Sequence, residues 1–353
     1  MLSFGWIYRL VKKYICSTEV ILLLVFAALV FNFVANGESL FTLIYRLCEK
    51  IRLKITGHVE SLLTESDGLT TERSKASWEL RKNNVGVYAI QGRRPHMEDR
   101  FNVVSDLEHT DTSIYGIFDG HGGEFAADFS EKTLFKTLMV RLLKAALDGT
   151  KEQFGQILTD EILNVDKQLL DIEKLTNEVS GTTALVALLR DNKLSVANVG
   201  DSRGVICDSG GNAIPLSFDH KPQQLKERKR IKKAGGFISF NGVWRVAGVL
   251  ATSRALGDYP LKEKNLVIAE PDILNFDLGN LKPKFMILAT DGLWDTFSNE
   301  EAVKFVLEHL DEPHHGAKSL VLQAYQRGSL DNITVMIVNF LHGNAAAVRH
   351  GNA

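Results

Sequence analysis

Cysteine is scarce in this chain: Cys16, Cys48 and Cys207 are the only three among 353 residues. Their odd number and scattered positions exclude a disulfide framework, and no Cys–His spacing offers the tetrahedral set that zinc takes. Reduced thiols of this kind fit a reducing compartment. An excess of charge of either sign is also missing, since 41 Lys and Arg against 43 Asp and Glu leave a net charge of −2. That balance supplies no electrostatic footprint for nucleic acid, and it argues against a metal-dependent nuclease, which needs a basic surface. What remains is a globular composition, 45% hydrophobic and 24% charged, long enough for one large or two ordinary domains with a substantial core.

One segment departs from that composition. Residues 20–35, VILLLVFAALVFNFVA, hold a single polar member, Asn32. The run is slightly shorter than the ~20 residues of a membrane span, and Ile15, Cys16 and Thr18 extend it. Arg9, Lys12 and Lys13 precede it, so a cleaved secretory signal is the rival reading. Cleavage after Ala35 would put the large Phe33 at the −3 position, and cleavage after Gly37 is a weak match. The expectation is a retained single-pass transmembrane anchor at 20–35 behind a basic flank at 1–19. Arg46, Lys50, Arg52 and Lys54 follow the span, so flanking charge does not orient it. In residues 36–77, Leu40, Ile44, Leu47, Ile51, Ile55, Val59 and Leu62 repeat at helical spacing with basic residues between them. This fits an amphipathic helix on an anionic membrane face and fits a linker helix equally well; polar residues from 64 onward separate it from the domain that follows.

Residues 78–341 read as one soluble domain. Apolar runs at 85–90, 101–106, 183–189, 194–199, 204–207, 285–289 and 333–340 are strand candidates. Residues 124–147 and 152–173, then 300–310 and 317–326, keep one apolar face at helical spacing. Turn signals at Asp191-Asn192, Gly210-Gly211 and Asn241-Gly242 predict antiparallel hairpins, the last joining 237–240 to 243–246. The pattern favours an α+β fold, a sandwich of antiparallel sheets with helices, over a doubly wound parallel sheet. A basic run at 221–233 reads as a solvated helix face, with a docking site for acidic substrates as the alternative. The tail at 342–353 repeats His-Gly-Asn-Ala and reads as disordered.

The acidic residues carry the chemistry. The strand ending at Phe118 runs into Asp119-Gly120-His121-Gly122-Gly123, and the strand ending at Ala289 runs into Thr290, then Asp291-Gly292 and Asp295. Gly200-Asp201 follows one strand, Asp331-Asn332 precedes another, and Glu98-Asp99 precedes a third. An Asp-Gly turn alone means little. Acids at five strand ends of one domain are harder to explain as turns, because gathered carboxylates repel one another unless cations hold them. An all-oxygen set suits Mg²⁺ or Mn²⁺, and a pair of such ions activates a bridging water for attack on phosphorus. A guanidinium is then needed to clamp the phosphoryl group, and Arg93 or Arg94 meets that need.

Seven motifs occur in order: RPHMED (94–99), FDGHGGE (118–124), SGTTA (180–184), NVGDSR (198–203), SRALGD (253–258), TDGLWD (290–295) and DNITV (331–335). Together they resemble the metal-dependent Ser/Thr phosphatases of the protein phosphatase 2C family, over residues 85–340. The resemblance implies a sandwich of two antiparallel β-sheets flanked by α-helices, with a metal centre at one edge. It implies that Asp119 bridges two metals, that the Gly120 carbonyl binds one of them, and that Asp291 and Asp331 complete the other. Glu98 is implied to act through metal-bound water, and Asp201, Asp291 and Asp295 to form a weaker third position. Arg94 takes the place of the phosphate-binding arginine and His121 that of the general acid. Asp99 and Asn332 stand where ligand-orienting residues are expected, and Arg245 near a flap that meets substrate.

The function implied is hydrolysis of phosphoserine and phosphothreonine in protein substrates, signalling proteins among them; a catalytically silent scaffold of the same fold is the alternative. The apolar segment ahead of the domain is similar to that of a membrane-anchored member of the family. It points to a lipid bilayer as partner, with the endoplasmic reticulum implied as compartment. Phosphoprotein substrates and reduced thiols put the catalytic domain on the cytosolic side. The one glycosylation sequon, at Asn332, falls inside the expected metal loop, which is consistent with that side.

Overall fold

Alternating apolar residues lay out most of the strands. A computed structural model of the protein describes residues 77–148 and 153–341. In chain order the longer elements begin with β1 (Ser77–Lys82), β2 (Val85–Ile90), β3 (Arg100–Val104) and β4 (Thr112–Phe118). Two helices follow, α1 (Phe125–Leu147) and α2 (Phe154–Thr176). Then come β5 (Ala184–Arg190), β6 (Lys193–Val199), β7 (Arg203–Cys207), β8 (Ala213–Pro215) and the helix α3 (Leu225–Lys233). The chain continues through β9 (Ile238–Asn241), β10 (Val243–Val246), β11 (Asp272–Asp277) and β12 (Phe285–Ala289). It closes with α4 (Asn299–His309), α5 (Ala317–Gln326) and β13 (Ile333–Asn339).

Two large antiparallel sheets result, and β9 and β10 pair as a separate hairpin. One has six strands in the order β1-β2-β13-β12-β7-β8, the other five in the order β11-β6-β5-β4-β3. Period two then divides each strand between two cores. Met286 and Leu288 of β12, with Met336 and Val338 of β13, face Tyr115 and Ile117 of β4 and Leu185 of β5 between the sheets. The alternate residues Phe285, Ile287, Val335 and Ile337 face outward and are covered by Val303 and Val306 of α4 and Leu320 and Val321 of α5. On the far side, Phe135 of α1 packs edge-on to Phe118 of β4 with ring centroids 6.4 Å apart. The α+β sandwich read from the sequence is the fold observed.

Boundaries shift by a few residues, and three of the longer strands escaped the sequence reading. Strand β1 begins in what reads as linker, β8 is a three-residue edge, and β11 (DILNFD) is a half-exposed edge strand with a charge at each end. None carries the run of buried residues that marks an inner strand. The basic run also needs correction. Only Leu225–Lys233 is helical, Glu227 and Ile231 on it are buried, and Lys221 lies in the loop before it. The transmembrane and amphipathic segments at 1–76 and the tail at 342–353 lie outside the described residues. Among the described residues no helix is long and apolar enough to cross a membrane.

Antiparallel pairing gathers the acidic strand ends. Ala289, at the end of β12, pairs with Val335 near the start of β13 and with Arg203 at the start of β7. In the other sheet, Phe118 at the end of β4 pairs with Arg100 at the start of β3. Ala184 at the start of β5 pairs with Val199 at the end of β6. Asp119, Asp201, Asp291, Asp331 and Glu98 therefore emerge at one edge of the sandwich, although up to 233 positions separate them (98 to 331).

Candidate active site

That edge opens into a cleft of about 190 Å³ lined by Arg94, Asp119, Gly120, His121, Thr183, Asp201, Arg245, Asp291 and Asp331, among others. A roomier cleft of about 540 Å³ lies elsewhere, between Leu163 and Leu170 on α2 and the 259–270 loop. It gathers no comparable set of facing carboxylates, so the chemistry points to the smaller one.

The floor of the cleft is acidic. Burial is the first cause that drives the Asp119 carboxyl well above the usual carboxylate range, and the charges of Asp291, Asp99, Asp201 and Asp331 add to it. The same holds for Asp291: burial first, then Asp201, with Lys221 opposing and Asp295 and Asp331 adding. Asp295, more exposed, is raised by burial and by Asp201 and Asp331, against Lys221. A glycine is required at 120, because a Cβ there would meet the Glu98 carbonyl oxygen at 2.5 Å and Ala127 at 3.0 Å. The strand can therefore present the Gly120 backbone beside Asp119 only with the side chain removed.

A polar underlayer fixes these groups. Asp99 is buried and accepts hydrogen bonds from the hydroxyls of Thr290 (3.0 Å) and Thr334 (2.7 Å), tying β12 to β13 beneath the cleft. Burial, with the charge of Asp331, pushes its carboxyl up to about 7 against those hydrogen bonds. Asn332 donates to the carbonyls of Gln91 (2.7 Å) and His96 (2.9 Å), and its Oδ1 accepts the Glu98 N–H at 2.8 Å. One side chain thus clamps the whole RPHMED loop. Glu98 Oε1 accepts from the Gly123 N–H at 2.8 Å, which orients its carboxylate toward the Asp119 turn. Thr183 Oγ1 accepts from the Asp119 N–H at 3.0 Å.

The rim carries the cations. Arg94 is half exposed and donates to Asp331 Oδ2 at 2.5 Å. Arg93 faces away, donating to the Ser329 and Tyr325 carbonyls with its guanidinium 4.2 Å from the Tyr325 ring centroid. Of the two arginines open to the sequence reading, Arg94 is the one in the cleft. Arg245, on β10, donates to the Val249 carbonyl at 2.5 Å and closes the flap side.

Two participants were not assigned from the sequence. Asp258, at the end of SRALGD, lies 2.8 and 3.0 Å from His121 Nε2 through its two oxygens. Burial alone would depress the His121 pKa, but the charge and hydrogen bond of Asp258, with Asp201 and Glu98, raise it. Lys221 reaches in from the basic run, with Nζ 2.5 Å from Asp201 Oδ2 and 3.9 Å from Asp291 Oδ2. In the sequence Asp258 is one letter of the SRALGD motif and Lys221 one cation of a basic run, and neither pattern marks its partner.

The donor set fits hard divalent cations. Among the described residues no three His, Cys, Asp or Glu side chains come together tightly enough to hold an ion unaided. Carboxylates beside a backbone carbonyl suit Mg²⁺ and Mn²⁺ even where the protein supplies only part of the shell, because these ions keep several waters. Burial and four neighbouring carboxylates all push the Asp119 carboxyl upward, a repulsion that a divalent cation would relieve.

Comparison with known proteins shows the family and the fold. The family model described as Protein phosphatase 2C matches residues 83–333. Protein phosphatase 1L of Bos taurus is 51% identical over 340 residues, covering 94% of each chain. Probable protein phosphatase 2C 59 of Arabidopsis thaliana is 41% identical over 297 residues, covering 83% of this chain and 92% of its own. Among solved structures, the serine-threonine phosphatase 2C from Toxoplasma gondii superposes with a TM-score of 0.66 at 25% identity, covering 74% of this chain and 98% of its own.

Proposed function

The chain belongs to the protein phosphatase 2C family of serine/threonine phosphatases, and on that premise we propose that it removes phosphate from phosphoserine and phosphothreonine in proteins at the Asp119 cleft. The observation that carries this reading is the crowding of Asp119, Asp201, Asp291 and Asp331 around one small cavity, with an arginine at its rim. Mg²⁺ or Mn²⁺, two ions with a weaker third, supply Lewis acidity and an activated water when bound. Asp119, the Gly120 carbonyl, Asp291 and Asp331 would hold the pair, with Glu98 acting through water. Asp201, Asp291 and Asp295 would hold the third.

The chain's own groups do the rest. Arg94 offers a planar fork to the phosphoryl oxygens and brings charge that serine-bound phosphate needs in a carboxylate-lined cleft. In the absence of an ion it holds Asp331 Oδ2 at 2.5 Å, and it would have to release that oxygen for the carboxylate to turn toward a cation. His121 keeps Nε2 on Asp258, which leaves Nδ1 to hand a proton to the departing alkoxide. Asp258 favours the protonated ring that this step requires. Asp99 and Asn332 hold the acidic loops in register, and Arg245 is positioned to meet the substrate chain.

A catalytically silent scaffold is the second reading. It is disfavoured because Arg94, Glu98, Asp119, Asp291 and Asp331 are all present. The deciding experiment is phosphate release from phosphoserine and phosphothreonine peptides by the full chain with Mn²⁺ and with excess chelator. The proposal expects turnover with the ion and none with chelator; turnover in neither condition supports the scaffold.

The run at 20–35 supports a single-pass anchor in a lipid bilayer, with the catalytic domain facing the cytosol and the endoplasmic reticulum as compartment. Carbonate extraction and protease protection of the full chain in microsomes test this. Release by carbonate, or a protected catalytic domain, contradicts it.

A further inference from the structure

We propose that Lys221 is a tethered counter-cation for the weaker third metal position: its ammonium sits on Asp201 and Asp291 and must be displaced before a divalent ion can bind there. The inference rests on the metal reading of the cleft given above. It begins with position. Lys221 Nζ is 2.5 Å from Asp201 Oδ2 and 3.9 Å from Asp291 Oδ2, two of the three carboxylates assigned to that position. Its side chain is 28% exposed, so this is not a lysine reaching across open surface.

The backbone that delivers it is fixed. The neighbouring His220 donates its N–H to the Gly200 carbonyl at 2.9 Å, and its Nδ1 accepts the Gly200 N–H at 3.1 Å. The His220 carbonyl accepts from the hydroxyls of Thr252 (3.0 Å) and Ser253 (2.9 Å). The base of Lys221 is therefore locked to the Gly200-Asp201 turn that holds its partner. Other cations of the same run are engaged elsewhere: Lys226 on Asp272, and Arg230 on Glu227 and the Ser253 carbonyl.

There is also somewhere for the ammonium to go. Lys221 lines a second cleft of about 310 Å³ together with Arg203, Ser217, Asp219 and Asn299. A divalent ion arriving at Asp201 and Asp291 would repel Nζ; a turn of the stem toward Asp219 would share that carboxylate with Arg203, which holds it at 2.7 and 2.9 Å. One positive charge and one divalent ion thus compete for the same two carboxylates. The competition weakens the third position relative to the other two, and it limits repulsion among the acids when that ion is absent.

The test is Mn²⁺ titration of the full chain in detergent by calorimetry, with free Mn²⁺ followed by electron paramagnetic resonance, beside thermal unfolding without metal. Wild type should show a tight class and a weak class of sites. In Lys221→Met the weak class should tighten on the order of tenfold or more, while metal-free unfolding moves to lower temperature. Lys221→Gln should behave likewise, and Lys221→Arg, which keeps the charge, should retain a weak class close to wild type. Unchanged weak-class affinity in folded Lys221→Met or Lys221→Gln overturns the inference, as does equal tightening in Lys221→Arg. Wild type that binds no Mn²⁺ overturns the metal reading and this inference with it, a result distinct from a failure of Lys221 alone.

Discussion

Asp258 faces His121 from across the domain, 137 positions away in sequence, and against the opposing effect of burial it raises the histidine's pKa. A general acid must be protonated, so activity should fall on the alkaline side as His121 loses its proton. Because Asp258 raises that pKa, Asp258→Asn should move the falling limb of the kcat profile to lower pH with little change in KM. An alkaline limb that stays in place would show that Asp258 does not set the protonation of the acid. Asn332 supports a second expectation. Its three hydrogen bonds hold the loop bearing Arg94 and Glu98, so Asn332→Ala should weaken Mn²⁺ binding by ~10–100-fold while the domain still unfolds cooperatively. At this scale the acids that line the cleft could be read from the sequence because each sits in a recognisable strand-end motif. Asp258 and Lys221 could not, since their roles come from distances that only the closed sandwich creates.

Helix α2 carries an acid that belongs to no ligand set. Glu173 is fully buried; one oxygen accepts the Tyr259 N–H at 3.0 Å and the other has no partner. Burial, aided by Asp258 and Asp166 and opposed by the Tyr259 hydrogen bond and Lys262, pushes its carboxyl up to about 8. The unfolded chain releases that proton near 4.5, so between the two values the folded state binds the extra proton and stability falls as pH rises. Glu173→Gln removes this penalty. The variant should gain stability over wild type progressively from pH 5 to pH 8, by on the order of 2 kcal/mol at the upper end, in urea unfolding. A pH-independent difference would mean that the carboxyl is ionised throughout. Strands β12 and β13 were readable because both faces are buried and their sequences are continuously apolar. Strand β11 was not, because an edge strand with Asp272 and Asp277 at its ends looks like loop.

The whole molecule divides into a catalytic sandwich and the residues that precede it in sequence. Every group placed at the cleft lies between Arg94 and Asn332, so residues 77–341 expressed alone should be soluble and should match the full chain in kcat/KM on a phosphopeptide. Loss of activity would make the preceding segment part of the catalytic unit. The sandwich could be anticipated from hairpin signals and from the absence of βαβ spacing, whereas the meeting of five acidic strand ends at one edge follows from antiparallel register, which no local pattern encodes. On the proposed function these acids are crowded for cations and not for stability, and Asp119→Asn separates the two. Measured together in Mn²⁺ and in metal-free buffer at pH 7, the variant should lose ~100-fold or more in phosphopeptide turnover and yet unfold at a higher temperature than wild type without metal. Retained turnover, or a variant less stable than wild type in the absence of metal, would contradict the account.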